Sequence, residues 1–227
     1  AQSEYLLFLN NDTLPHPGWL RALVEVAKSD QEIGIVGAKL LYPNTEQVQH
    51  AGLVLHNGIP EHIHRGAHYT DPEVEVQREM DMVTGACMLV RRNLFNDVGG
   101  FDEMFLNGME DVDFCLRVRD KGFKVLYCPR SVLDHWEGSS EGRFDTVHAN
   151  VKRFHAKWGN RFGADGRFVP KPEESGEKSS IRGNFEGPFF LPSSLAHVNR
   201  ELVRQLLATG EAEIGLVPFG GEQPSGR

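Results

Sequence analysis

Three places in the sequence set chemically capable side chains directly beside apolar segments. The first is Asn10-Asn11-Asp12, which ends the run YLLFL. A carboxylate at the end of a strand suits a hard cation. Mg²⁺ takes one or two carboxylates and completes its shell with phosphate and water. Asn and Asp also favour turns, so a polar strand ending explains the same residues. The second place is Glu110-Asp111, which opens EDVDFCLRVRDKG. Acidic groups in the first turn of a helix meet free N–H groups and the positive end of the dipole, so capping is one reading. General-base chemistry is the other, because a positioned carboxylate can accept a hydroxyl proton as that oxygen attacks. Asp113 and Arg117, four residues apart, are expected to pair on the helix surface. The third place is His135-Trp136 in LDHWEGSS. This histidine is either structural or a ligand, and this tryptophan either core or a platform for a sugar ring.

These groups need elements to hold them. Tyr5 to Leu9 is continuously apolar and reads as a buried strand. After Pro15 and Pro17 comes a helix with Leu20, Leu23, Val24 and Ala27 as its inner stripe. IGIVGAKLLYP is a second buried strand, and VQHAGLVLHNG a third with a tight turn at Asn57-Gly58. Residues 59–80 lack periodicity and read as a loop. MVTGACMLVRR reads as a strand, NLFNDV as a short helix stopped at Gly99-Gly100, and EDVDFCLRVRDKG as a helix ending at Gly122. FKVLYCP and SVLDHW read as two short strands. Val147, Val151, Phe154 and Trp158 recur at helical spacing.

Composition changes at PKPEESGEKSS, residues 170–180, which is charged and nearly free of apolar residues and reads as a linker. Beyond it the order strand (IRGNFEG), helix (SSLAHVNRELVRQLLATG), strand (EAEIGLVPF) is the opening of a nucleotide-binding type of α/β fold. The 227 residues carry a net charge of -8. That balance lacks the basic surplus a general nucleic-acid binder needs against phosphate. Cys87, Cys115 and Cys128 have no metal-ligand spacing and read as buried free thiols in a reducing compartment. No run is long and apolar enough to span a bilayer. The chain opens on Ala1 directly before a strand, which predicts further sequence upstream.

Taken in order, LLFLNNDT, VTGACMLVRRNLFNDVGGFDEMF and EDVDFCLRVRDKGFKVLYCPRSVLDHWEGSS resemble the latter half of a family 2 glycosyltransferase of GT-A fold, rhamnosyltransferase-like or galactofuranosyltransferase-like. The likeness covers about residues 3–160. It implies a mixed α/β sheet in a partial GT-A domain over residues 1–170, with the nucleotide-binding part upstream of Ala1. Residues 171–180 would be the linker, and 181–227 the start of a second, Rossmann-like domain of GT-B type. Asp12 then matches the metal-binding end of the family's D-x-D motif, and His135 a histidine that completes the metal site in some members. Asp111 matches the catalytic base. Asn10, Thr84, Gly85, Glu110 and Trp136 fall on the substrate side, with Gly85 letting substrate approach the backbone. Asn10 stands where the motif has its first aspartate, so the site has one anion fewer and should lean on the donor's diphosphate.

The implied activity is metal-dependent (Mg²⁺ or Mn²⁺) inverting transfer from a nucleotide-sugar to a glycan or lipid-linked acceptor, in polysaccharide or cell-envelope synthesis. The expected setting is the cytoplasm, at the inner face of the membrane. No covalent intermediate is needed, and no activated nucleophile motif is evident. His62, His64 and His68 would belong to a solvated acceptor-side loop, with a zinc site as the other reading. A non-catalytic carbohydrate-binding piece and a metal-dependent phosphoesterase remain the alternatives to transfer.

Overall fold

The computed structural model describes residues 3–106, 108–136 and 147–171, together with the backbone of 181–187 and 212–218. The chain forms two compact units, Ala1–Pro172 and Glu173–Arg227.

In the first unit the elements follow in the order β1 (Tyr5–Leu9), β2 (Thr13–Pro15), α1 (Trp19–Ser29), β3 (Ile33–Leu41), β4 (Val48–His50), β5 (Leu53–His56), β6 (Ile59–His62), β7 (Arg78–Met80) and β8 (Cys87–Arg91). Then come α2 (Arg92–Val98), α3 (Glu110–Asp120), β9 (Lys124–His135) and α4 (Val147–Trp158). Seven strands form one mixed sheet with the path β1-β8-β3-β9-β2, β4 adding to β3 and β7 to β9. Only the β3–β9 pair is parallel in this sheet.

The sheet is covered on both faces, which is why its central strands are apolar throughout. Side chains alternate across β8 and β9. Cys87, Leu89, Leu126 and Cys128 pack against Ala22, Leu23, Val26 and Ala27 of α1. Met88, Val90, Val125 and Tyr127 turn the other way, toward Leu94 of α2 and Phe114, Cys115 and Val118 of α3. The inner stripe of α1 is therefore shifted from its expected place. Leu20 is exposed and Val24 half-buried, while Ala22 and Val26 face the sheet. All three cysteines are buried and free, and burial pushes the Cys87 thiol up to about 12.

Several boundaries differ from the sequence reading. FKVLYCP and SVLDHW are one twelve-residue strand, β9, continuous through Pro129. A bulge lies in β9 itself, where the partners of consecutive β3 residues Ala38 and Lys39 step from Cys128 to Val132. MVTGACMLVRR becomes strand only from Cys87. VQHAGLVLHNG divides at Gly52 into β4 and β5. Part of residues 59–80, read as loop, closes the β5–β6 hairpin through Asn57-Gly58 at φ 50 and 79, as a type I′ turn requires.

In the second unit β10 (Ile181–Gly187) and β11 (Ala212–Pro218) pair in parallel. The helix expected between them lies outside the described residues. Among the described residues no helix is long and apolar enough to cross a membrane.

Candidate active site

Strand pairing brings the first and third chemical stretches together. β2 runs antiparallel to the end of β9 with Thr13 opposite His135. The turn between β1 and β2 is tied at three points: Asn10 N–H donates to Ala86 O at 2.9 Å, the Thr13 hydroxyl to Asn10 O at 2.7 Å, and Trp136 N–H to Asp12 O at 2.9 Å. Asp12 is thereby set beside a ring that lies 125 residues away from Asn10 in the chain.

The His135 ring is oriented by Gln49 on β4. Nδ1 lies 2.7 Å from Gln49 Oε1, and the Gln49 amide nitrogen donates to His135 O at 3.1 Å. A carboxamide oxygen only accepts, so Nδ1 carries a proton and Nε2 is the nitrogen turned toward Asp12. Nε2 is 3.3 Å from Asp12 Oδ1 and 3.4 Å from Asn10 Nδ2. Asp12 Oδ1 is buried and has no hydrogen-bond partner. Positive charge holds such a pair together, either a second proton that makes the imidazole cationic or a metal ion that both groups bind. The pair therefore fits a divalent cation, for which imidazole and carboxylate are ordinary ligands. Among the described residues no group of three or more His, Cys, Asp or Glu could hold an ion. The rest of a coordination shell would fall to ligand oxygens and water.

Asp111 stands in the first turn of α3. The chain enters this helix through Met109 in the left-handed region at φ 70, an uncommon state for a residue with a side chain. Glu110 reaches back, its Oε2 accepting the Gly108 N–H at 2.7 Å. Asp111 Oδ2 accepts the Gly85 N–H at 2.7 Å and Oδ1 the Val112 N–H at 2.8 Å, with Thr84 beside them. Burial raises the carboxyl above its ordinary range, and these donors offset only part of that effect. A Cβ added at Gly85 would sit 3.1 Å from Asp111 Cβ and 3.5 Å from Oδ2. The glycine therefore makes room for the Asp111 side chain. The sequence reading had given that space to substrate.

The two corners face one cleft of about 590 Å³, lined by Asn10, Thr84, Gly85, Glu110, Asp111 and His135 among others. Asp12 is not part of that lining and reaches the cleft through its contact with His135. Trp136 is half-exposed and also outside that lining.

The lining also includes His62. Its Nδ1 is 2.8 Å from Nδ1 of His50, which is buried and held neutral by burial first, then by His62, His135 and Arg65. His64 and His68 face elsewhere, toward Arg78 and toward Glu46 and Thr70, so the three loop histidines do not converge. Gln49, His50 and His62 escape a reading by motif. Gln49 carries no charge, and the other two become neighbours only when the β5–β6 hairpin folds over β4.

One expectation is overturned beside the site. Asp113 and Arg117 do pair, Nε to Oδ2 at 2.7 Å, but Asp113 is fully buried. Its other oxygen takes the Trp158 N–H at 2.9 Å and the Lys157 ammonium at 2.7 Å. The amphipathic pattern of α3 hid this, because α4 packs over what would otherwise be a solvent face.

The family described as "Glycosyltransferase like family 2" matches residues 1–159. An O-antigen biosynthesis protein, RfbC of Myxococcus xanthus, is 40% identical over 154 residues, 65% of this chain and 12% of that protein. An N-acetylglucosaminyl-diphospho-decaprenol L-rhamnosyltransferase of Mycobacterium tuberculosis is 29% identical over 158 residues, 64% of this chain and 51% of that protein. The chain thus spans about half or less of the length of these relatives. A crystal structure of GalNAc-T7 with UDP, GalNAc and Mn²⁺ has a similar fold, with TM-score 0.50 and 17% identity over 68% of this chain and 32% of that one. The chain belongs to the glycosyltransferase-like family 2, and its first unit is a partial GT-A domain of mixed α/β type.

Proposed function

We propose that, as a member of this family, the protein transfers a sugar from a nucleotide-sugar to a glycan or lipid-linked acceptor with inversion, in the building of a cell-surface polysaccharide. The observation that carries this reading is the placing of Asp111 on the same cleft as His135 and Asn10. The relatives named for O-antigen biosynthesis and rhamnosyl transfer support the substrate class.

Asp111 is the base. Its Oδ2 and Oδ1 are fixed by Gly85 and Val112, so the carboxylate is aimed before an acceptor arrives and little reorganisation is left for the reaction. Its raised affinity for protons brings it closer in basicity to a hydroxyl being deprotonated. As the acceptor oxygen attacks the anomeric carbon, its proton passes to Asp111, and the bond from that carbon to the diphosphate oxygen breaks on the opposite face. Asp12 and His135 would hold a divalent cation, which when bound supplies positive charge to the departing diphosphate. Gln49 keeps Nε2 of His135 turned toward Asp12. Asn10 offers a neutral amide at the same corner, suited to a ribose hydroxyl or a phosphate oxygen.

The test is a transfer assay with labelled nucleotide-sugars and lipid-linked acceptors on the protein containing this chain. Sugar should move to acceptor in the native protein and not in Asp111→Asn. Release of phosphate without acceptor would favour a phosphoesterase. Transfer that survives Asp111→Asn would overturn the assignment of the base.

A further inference from the structure

α4 carries a polar residue that its apolar stripe does not account for. Asn150 is buried, 1% exposed, on the inner face of the helix. Its Nδ2 donates to Leu106 O at 2.7 Å and to Gly108 O at 2.8 Å, and its Oδ1 accepts from Arg153 at 3.2 Å. Both amide hydrogens are thus spent on the backbone that leads into α3. Gly108 is gripped from both sides, its carbonyl by Asn150 and its N–H by Glu110. On the far side of Asp111, Asp113 is held by Trp158 and Lys157 of the same α4 helix. Between these two clamps sit Met109, at φ 70, and Asp111. A left-handed methionine is strained and persists only where its surroundings enforce it.

We propose that Asn150 is a positioning residue for Asp111: by holding the carbonyls of Leu106 and Gly108 it enforces the left-handed turn at Met109, and that turn aims the Asp111 carboxylate at Gly85 and the cleft. Its effect on transfer rests on the reading of Asp111 as the base, whereas its effect on the side chain's placement does not. Leucine at 150 fills similar space and removes both donors. The turn then relaxes toward negative φ, and the carboxylate leaves the Gly85 N–H and gains water.

Carboxyl titration by NMR on ¹³C-aspartate-labelled protein reads this directly, with Asp111 assigned by the signal lost in Asp111→Asn. In the native protein Asp111 takes up its proton above the ordinary carboxylate range. In Asn150→Leu its midpoint should fall toward the ordinary aspartate value, with the other carboxyl signals in their native positions. The groups facing Asp111 are Glu110 on its own turn, Cys115 one turn on, and Thr84 and the Gly85 N–H directly against it from the segment before β8. None is altered in the variant, so a shift reports position. Asn150→Ser, which keeps one donor, should move the midpoint in the same direction by less, and it serves if the leucine variant does not fold. Adding Met109→Gly, which needs no enforcement to stay left-handed, should restore the native midpoint. With a nucleotide-sugar that the native protein turns over, kcat should fall about tenfold at unchanged KM, as expected for a displaced catalytic group. A folded Asn150 variant with an unmoved Asp111 titration would overturn the proposal, as would a failure of Met109→Gly to restore it. Failure of the base reading would show separately, as transfer surviving Asp111→Asn.

Discussion

The two corners of the cleft are built on opposite principles. At the Asp111 corner each carboxylate oxygen already receives a backbone N–H, and two helices fix the turn that carries it. At the Asp12 corner a buried carboxylate oxygen receives no backbone N–H and lies 3.3 Å from His135 Nε2. The first is complete with the chain's own atoms. The second brings together a carboxylate and an imidazole, two groups that can share one cation. A site that must deprotonate one substrate and release another gains from this division. In the proposed reaction the base is held still in advance, whereas the leaving-group corner would accept a cation together with the diphosphate.

The largest expected effect separates the corners by activity. Asp111→Asn should lower transfer by about 10²–10⁴-fold, the usual worth of a positioned base, and leave metal-dependent nucleotide binding in place. Stability should move the other way. Asp111 binds its proton more tightly in the folded protein than an ordinary carboxyl does. A raised value means its favourable contribution is full below the ordinary carboxylate pKa and is lost as pH rises through the folded value. Asn cannot lose a proton, so Asp111→Asn should unfold at a higher temperature than the native protein at neutral pH, and near acid pH the gap should close. For the same reason transfer by the native protein should fall on acidification along a limb that lies above the ordinary carboxylate range.

At the other corner the expected losses are in metal affinity. Gln49→Leu frees His135 from its tautomer and orientation, and partners of this kind are worth about 10–100-fold in metal affinity. Transfer in that variant should recover at raised Mn²⁺, whereas no Mn²⁺ concentration should rescue Asp111→Asn. Gly85→Ala sharpens the contrast, because the new methyl meets Asp111 Cβ at 3.1 Å and leaves His135 untouched. It should lower kcat by about tenfold without changing the Mn²⁺ requirement. The smallest effect belongs to the clamp outside the cleft. Trp158→Phe removes the N–H given to buried Asp113 and should cost about 1–2 kcal/mol of stability in denaturant unfolding.

The sequence made one corner far easier to read than the other. Apolar runs ending in Asn10-Asn11-Asp12 and in Asp134-His135 announce strand ends, and strand ends in an open α/β sheet are where ligands bind. Once β2 pairs with β9, Asp12 and His135 must meet. The glycosyltransferase resemblance placed Asp111 as well, but not its support. Gln49, Asn150 and Asp113 are polar residues on ordinary-looking segments, and each acquires its role from a partner at least 42 residues away. Periodicity reports which face of a helix is apolar. It cannot report that a second helix will cover the polar face and make a buried hub of Asp113. β9 was missed as one strand because Pro129 interrupts its pattern, yet Pro129 falls in a bulge of β9, where no ladder bond to β3 is required of it.

The division of labour is tested most directly by titrating Mn²⁺ into Asp12→Asn and Asp111→Asn side by side, following both binding of a nucleoside diphosphate and transfer. Asp111→Asn should bind the nucleotide at the native Mn²⁺ concentration and transfer nothing, and Asp12→Asn should need far more Mn²⁺ for both. Equal Mn²⁺ requirements in the two variants, or nucleotide binding lost in Asp111→Asn and kept in Asp12→Asn, would contradict it.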